Sequence, residues 1–222
     1  MRRKSAFKQQ EVYEKIKEAI ITEQYQADQR LSSRELCKKF NVSRTPVSEA
    51  LKRLAYEGFV YAVPDKGSFV SRVRIEDFIE LYEIRMGLES IAAGLCAIRK
   101  TDSLVSMMEN TLKQYEEEFK KGNFLKAIQK DDEFHLLFIA GSKNARLESY
   151  LRIIIEQCNR AMSISATNPE RIEKIIIPTH RNIFRAIANG DPGLAELATK
   201  EHLAHVMEYF KKYQVLNAFD LS

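Results

Sequence analysis

The sequence predicts a mainly α protein, an N-terminal winged helix-turn-helix followed by an all-α antiparallel helical bundle. Three observations carry this expectation. Residues 1–75 read helix, helix, helix, hairpin, with a four-residue turn between the second and third helices. From about Glu76 the apolar periodicity is helical only, interrupted by short polar or Gly/Pro breaks. The charge divides at the same place: residues 1–75 hold 16 Lys/Arg against 9 Asp/Glu, and residues 76–222 hold 19 against 22. The expected domains are therefore 1–74 and 75–222.

Val12, Ile16, Ala19 and Ile20 recur at helical spacing and place a first amphipathic helix over 9–24. Ser32 and Glu35 form a capping box that opens the second helix, with Leu31 and Leu36 set as a hydrophobic staple. Asn41-Val42-Ser43-Arg44 is the turn. Thr45 is the expected N-cap of the third helix and Pro46 its first residue, where a missing N–H costs nothing. Val47, Ala50, Leu51 and Leu54 are its buried stripe, and Gly58 ends it in the left-handed region. Two β-branched and aromatic runs, Phe59–Val63 and Ser68–Val73, flank the turn sequence Pro64-Asp65-Lys66-Gly67 and read as a hairpin.

The bundle helices are expected at 76–98, 102–121, 124–140, 143–166, 170–189 and 192–216. Thr101-Asp102, Gly122-Asn123, Gly141-Ser142, Asn168-Pro169 and Gly190-Asp191-Pro192 punctuate them. Pro178 lies inside the fifth and should kink or split it. Long amphipathic helices on short connections imply antiparallel neighbours.

Composition narrows the function classes. Hydrophobic residues are 45% and charged residues 30%, the balance of a globular chain. No apolar run approaches the ~18 residues of a membrane span, and the basic start Met1-Arg2-Arg3-Lys4-Ser5 has no apolar segment behind it, so neither membrane nor secretion is expected. Cys37, Cys96 and Cys158 are odd in number and far apart, which speaks against a disulfide framework or a cysteine zinc knuckle and for a reducing, cytoplasmic home. No P-loop, dinucleotide fingerprint or nucleophile elbow is present. A small basic segment beside an acidic remainder points to a polyanion partner, with a solvated lysine surface as the alternative.

The run Val42-Ser43-Arg44-Thr45-Pro46-Val47-Ser48-Glu49-Ala50-Leu51, with Glu57-Gly58-Phe59-Val60 and the Gly67-Ser68-Phe69-Val70 wing, resembles the GntR family of bacterial transcription regulators. The all-helical remainder resembles its FCD (FadR C-terminal domain) subfamily. The resemblance implies a sequence-specific double-stranded DNA partner, a homodimer on a pseudo-palindromic operator and, most often, a repressor. It implies no enzymatic activity. Elementary chemistry agrees. Arg44 opens the third helix, and its planar fork fits guanine O6 and N7 in the major groove. Ser43 and Thr45 sit where a hydroxyl reaches phosphate. The resemblance adds Arg34, Pro46 and the wing tip at Lys66 and Gly67, and Arg2, Arg3 and Lys4 add candidate backbone contacts. At Ser48 the family usually has a DNA-contacting Arg, so its usual operator does not carry over.

All four histidines, His135, His180, His202 and His205, lie in the helical part. Asp131 and His135 are one turn apart, on a face shared with Phe134 and Phe138. His180 lies in line with Ile183 and Ile187, and His202 with Ala198 and Val206. Three imidazoles and a carboxylate turned inward fit either hydrogen-bonded core residues or the ligands of Zn, Ni, Fe or Mn. Here the resemblance is specific. Asp131-Asp132-Glu133-Phe134-His135 matches the D-x-x-F-H pattern of metal-binding FCD domains, and the segments around His180 and His202 match its other two histidine segments. It implies one divalent transition metal per chain, held by Asp131, His135, His180 and His202, with Asp132 a rival ligand and His205 a bystander. Arg85, in an R-x-x-L-E helix, is either an anchor for a carboxylate effector or half of a helix-surface pair with Glu89. The resulting expectation is a regulator binding a metal and a small, carboxylate-type effector. A metal-responsive regulator with no organic effector and a metal-dependent hydrolase are the alternatives.

Overall fold

The computed structural model describes residues 2–72, 74–163, 170 and 172–213. The chain divides into two compact units, Met1–Arg74 with Asn159–Ile164, and the rest of Ile75–Ser222.

The first unit is a winged helix-turn-helix built from α1 (Arg2–Ile21), β1 (Arg30–Leu31), α2 (Ser33–Phe40), α3 (Arg44–Tyr56), β2 (Val60–Val63) and β3 (Gly67–Val70). Helix α1 begins earlier than its apolar periodicity shows. It also stops earlier, because Glu23 adopts φ 56° and the Tyr25 amide turns back to the Ala19 carbonyl. Ser32 caps α2 by accepting from the Glu35 amide, and Leu31 and Leu36 are both buried, as a staple requires. Helix α3 opens two residues before the expected start. Ser43, extended at ψ 174°, is its N-cap, which puts Thr45 and Pro46 inside the first turn. Proline is tolerated there because that turn's amides have no intrahelical acceptor. Gly58 follows α3 at φ 76°, the left-handed residue that turns the chain into β2.

Strand β3 pairs with β2 from Val60↔Val70 to Val63↔Gly67, leaving Pro64, Asp65 and Lys66 as the wing tip. Its other edge pairs with β1, Arg30↔Phe69 and Leu31↔Ser68. This strand has two residues, too few for any alternation to show. The three-stranded sheet and the helices share one core around Ile16, Ile20, Val47, Leu54, Phe59 and Val70.

The second unit comprises α4 (Ile75–Arg99), α5 (Asp102–Lys120), α6 (Phe124–Gly141), α7 (Ala145–Ser163) as far as Cys158, α8 (Ile177–Asn189) and α9 (Pro192–Tyr213). Asn144 opens α7 by accepting from the Leu147 amide. The expected break at Asn168-Pro169 lies outside the described residues. Pro178 does mark a change of helix. A π-helical turn, Ile172–Ile176, passes into α8 one residue before it. Helix α4 lies along α9, with Gly94 beside Glu196 and Gly190 beside Lys100, so the two run antiparallel. Helices α5 and α6 pair likewise, and α8 contacts α4, α5 and α9. The core between them includes Ala92, Cys96, Met108, Phe134, Phe138, Ile183 and Ile187. No helix among the described residues is long and apolar enough to cross a membrane.

Candidate metal centre and nucleic-acid interface

Helices α6, α8 and α9 each bring one histidine to the same point inside the bundle. The ligand atoms of His135, His180 and His202 lie within 4.8 Å of one another, and all three residues are buried. His135 Nε2 is 3.3 Å from His180 Nε2. Asp131, one turn before His135, places Oδ1 3.0 Å from His180 Nε2.

Two neighbours set which nitrogen faces inward. Glu89, on α4, places Oε2 2.6 Å from His135 Nδ1. A carboxylate only accepts, so Nδ1 carries the proton and the Nε2 lone pair points at the cluster. Thr179 Oγ1 donates to the Ile176 carbonyl at 2.8 Å and lies 2.9 Å from His202 Nδ1. Its single hydroxyl hydrogen is thereby spent, and its oxygen accepts from His202 Nδ1–H. His180 Nδ1 is buried with no hydrogen-bond partner among the described residues.

Burial pushes His202 well below the ordinary imidazole value, helped by its neighbours His180, His135 and Arg85. Burial works against ionisation of Asp131, yet the charge and hydrogen bond of His180 hold its carboxyl down at about 2. At Glu89 burial is likewise outweighed, by the charges of Arg85 and His135 and their hydrogen bonds, and the carboxyl stays at about 2. Imidazole lone pairs and an ionised carboxylate converging in a buried space are a donor set that fits a divalent transition metal.

Arg85 does not stand free to hold an effector. It is 4% exposed, and its Nε donates to Glu89 Oε1 at 2.5 Å. The pair with Glu89 is present, but inside the bundle rather than on a helix surface. His205 is partly exposed and stands outside the three-histidine group.

In the first unit, Ser43, Arg44, Thr45 and Ser48 are all exposed along the start of α3, as are Arg34 on α2 and Lys66 and Gly67 at the wing tip. Pro46 is buried and packs inward, so it does not share the outward surface of its neighbours. The side chains of Arg2, Arg3 and Lys4 lie outside the described part of the structure. Gly67 holds φ 103°, a conformation that favours glycine. Helix α3 is rooted on α1 by a buried polar group. Tyr13 Oη donates to Glu57 Oε2 at 2.6 Å, and Lys17 Nζ donates to both oxygens, at 2.6 and 3.1 Å. Arg53 adds a bond to Glu57 Oε1 at 2.9 Å and stacks 3.7 Å over the Tyr13 ring.

The sequence family "Bacterial regulatory proteins, gntR family" matches residues 8–70, and the FCD domain family matches residues 80–205. The chain belongs to the GntR family, in its FCD branch. This GntR regulator is 26% identical over 200 residues to the uncharacterized HTH-type transcriptional regulator YdhC of Bacillus subtilis, covering 90% of this chain and 89% of that one. It is 27% identical over 213 residues to the HTH-type transcriptional repressor RspR of Escherichia coli, covering 94% and 91%. Its fold is similar to that of E. coli McbR/YncC, with a TM-score of 0.77 at 19% identity over 93% of this chain and 98% of the other. The GntR chain is thus a DNA-binding transcription regulator and not an enzyme, and the hydrolase alternative falls with that assignment.

Sequence reasoning missed Glu89 and Thr179 as partners of the GntR chain's histidines. Glu89 carried a signal, an acidic residue one turn after Arg85, but that spacing names only Arg85. Thr179 carried none, because its contact with His202 joins residues 23 apart on two helices.

Proposed function

We propose that this regulator acts as a homodimeric repressor whose helical unit holds one divalent transition metal through Asp131, His135, His180 and His202, and that a small carboxylate effector binding there changes its affinity for a pseudo-palindromic operator. The observation that carries this reading is the convergence of three buried imidazoles, two of which have their inward nitrogen set by an outer partner. A bound metal would supply a Lewis-acidic point for an effector oxygen. The chain's own residues supply the rest. Glu89 and Thr179 orient two imidazoles, Asp131 adds negative charge, and Phe134 and Phe138 shield the cluster from water.

On the DNA side, Arg44 is offered to a guanine edge, while Ser43, Thr45, Arg34, Lys66 and Gly67 fix register on the phosphate backbone. Pairing of two chains is supported by a stripe on α4. Ile84, Ile91 and Ile98, seven residues apart, are 46%, 48% and 66% exposed. The sign of regulation follows the relative named as a repressor. An effector acts only through unequal binding to the two states of the protein.

The test is fluorescence anisotropy of full-length protein on an operator selected from random duplexes, with zinc and a panel of di- and tricarboxylates. Release by metal plus one carboxylate supports the proposal. Unchanged affinity with every combination contradicts it. One observation favours a second reading in which metal alone is the signal: Arg85 is buried and bonded to Glu89. That reading expects chelation by itself to shift operator affinity.

A further inference from the structure

We infer that Glu89 is a positioning residue for the metal centre, holding His135 in the ligating tautomer while Arg85 holds Glu89. This rests on the metal-binding reading above and names what governs the site's strength.

Glu89 is fully buried on α4 and belongs to none of the ligand-bearing helices. Its two oxygens are assigned to two donors, Oε1 to Arg85 Nε–H and Oε2 to His135 Nδ1–H. A glutamine in the same place has one acceptor oxygen. It leaves Arg85 without its counter-charge in either case, and its one acceptor oxygen cannot stand in both places that the two carboxylate oxygens fill. The carboxylate alone satisfies both.

The placement also separates the roles of the two carboxylates near the cluster. Asp131 reaches His180 at Nε2, the nitrogen that faces the cluster, so it stands among the ligand atoms. Glu89 reaches His135 at Nδ1, the nitrogen turned away, so it stands behind the ligand. Arg85 belongs to the same arrangement. Its guanidinium lies 4.9 Å over the Tyr82 ring and donates to Glu89, so it holds Glu89 in place behind His135. A carboxylate behind a ligating histidine raises the ring's basicity and fixes its orientation, and its loss typically costs about 10–100-fold in metal affinity.

The experiment is zinc competition against a chromophoric chelator on the full-length protein, for wild type and Glu89→Gln, with the cobalt(II) absorption spectrum recorded on both. The expected result is about 10–100-fold weaker zinc binding and an altered cobalt spectrum in E89Q, with Glu89→Asp, which keeps charge and both oxygens, recovering part of the loss. E89Q zinc affinity within about twofold of wild type, with the same cobalt spectrum, overturns the role of Glu89. Wild type that takes up no zinc overturns instead the reading beneath it. A second measurement needs no variant. Nitrogen-15 NMR of zinc-loaded wild type should show His135 protonated at Nδ1 and ligated at Nε2, and ligation through Nδ1 overturns the inference.

Discussion

His135 Nε2 and His180 Nε2 face each other across 3.3 Å in the buried centre of the bundle. Since Glu89 accepts a hydrogen bond from His135 Nδ1–H, the Nε2 lone pair of that ring faces His180. His180 Nε2 is at once 3.0 Å from Asp131 Oδ1. One proton on His180 can bridge this group, and its buried Nδ1 has no partner among the described residues. A buried polar atom without a partner costs about 1–3 kcal/mol. A divalent cation would instead take the Nε2 lone pairs of both rings together with Asp131.

Arg44 should carry base readout. Arg44→Ala is expected to cost about 1–3 kcal/mol of operator affinity and to relax preference at one base position per half-site. Binding of a randomised-operator library by wild type and variant checks this. Identical affinity and identical base preference would remove Arg44 from the reading surface.

The first unit should be labile in acid. Burial alone would raise the Glu57 carboxyl, but bonds from Tyr13, Lys17 and Arg53 outweigh it and the value falls below the ordinary 4.5. The unfolded chain therefore binds the proton more readily than the folded one. Stability from this group is fully present above about pH 4.5 and declines as pH falls through the folded value. Chemical denaturation of the full chain at pH 7 and at successively lower pH should show that decline. Glu57→Gln should be less stable at pH 7 and flatter in its pH dependence, and a slope unchanged by the substitution would refute the assignment.

Gly141 should not accept a side chain. It closes α6, and a methyl group there would meet Leu104 Cδ2 and come within 2.6 Å of the buried Cys96 Sγ. Gly141→Ala is expected to destabilise the bundle by about 1–3 kcal/mol through overpacking, read as a lower midpoint in urea. A midpoint equal to wild type would mean that the pocket relaxes freely.

Much of this was legible in the chain because its signals are local. Ser32 and Glu35 cap α2 where the spacing says, Gly58 turns the chain after α3, and Pro178 marks the change from π to α geometry. The inward faces of α6, α8 and α9 could be read from the apolar neighbours of His135, His180 and His202. What escaped was long-range or too short to have a period. Strand β1 is two residues whose pairing is fixed by β3 nearly forty positions later. Thr45 looks like an N-cap, but Ser43 holds the extended backbone that defines one. Arg85 and Glu89 could be read as a surface pair because i, i+4 spacing says nothing of depth, and the packing of α4 within the bundle buries them.

The most direct measurement is the metal content per chain of full-length protein purified without chelator or nickel resin. The account predicts about one equivalent of a divalent transition metal, since one cluster of protein ligands is built to hold one ion. It predicts that this metal is lost in His180→Ala, with the helical circular dichroism retained. Wild-type protein that carries no metal, and takes up none of zinc, nickel, iron or manganese on reconstitution, would contradict it and make the three histidines core residues alone.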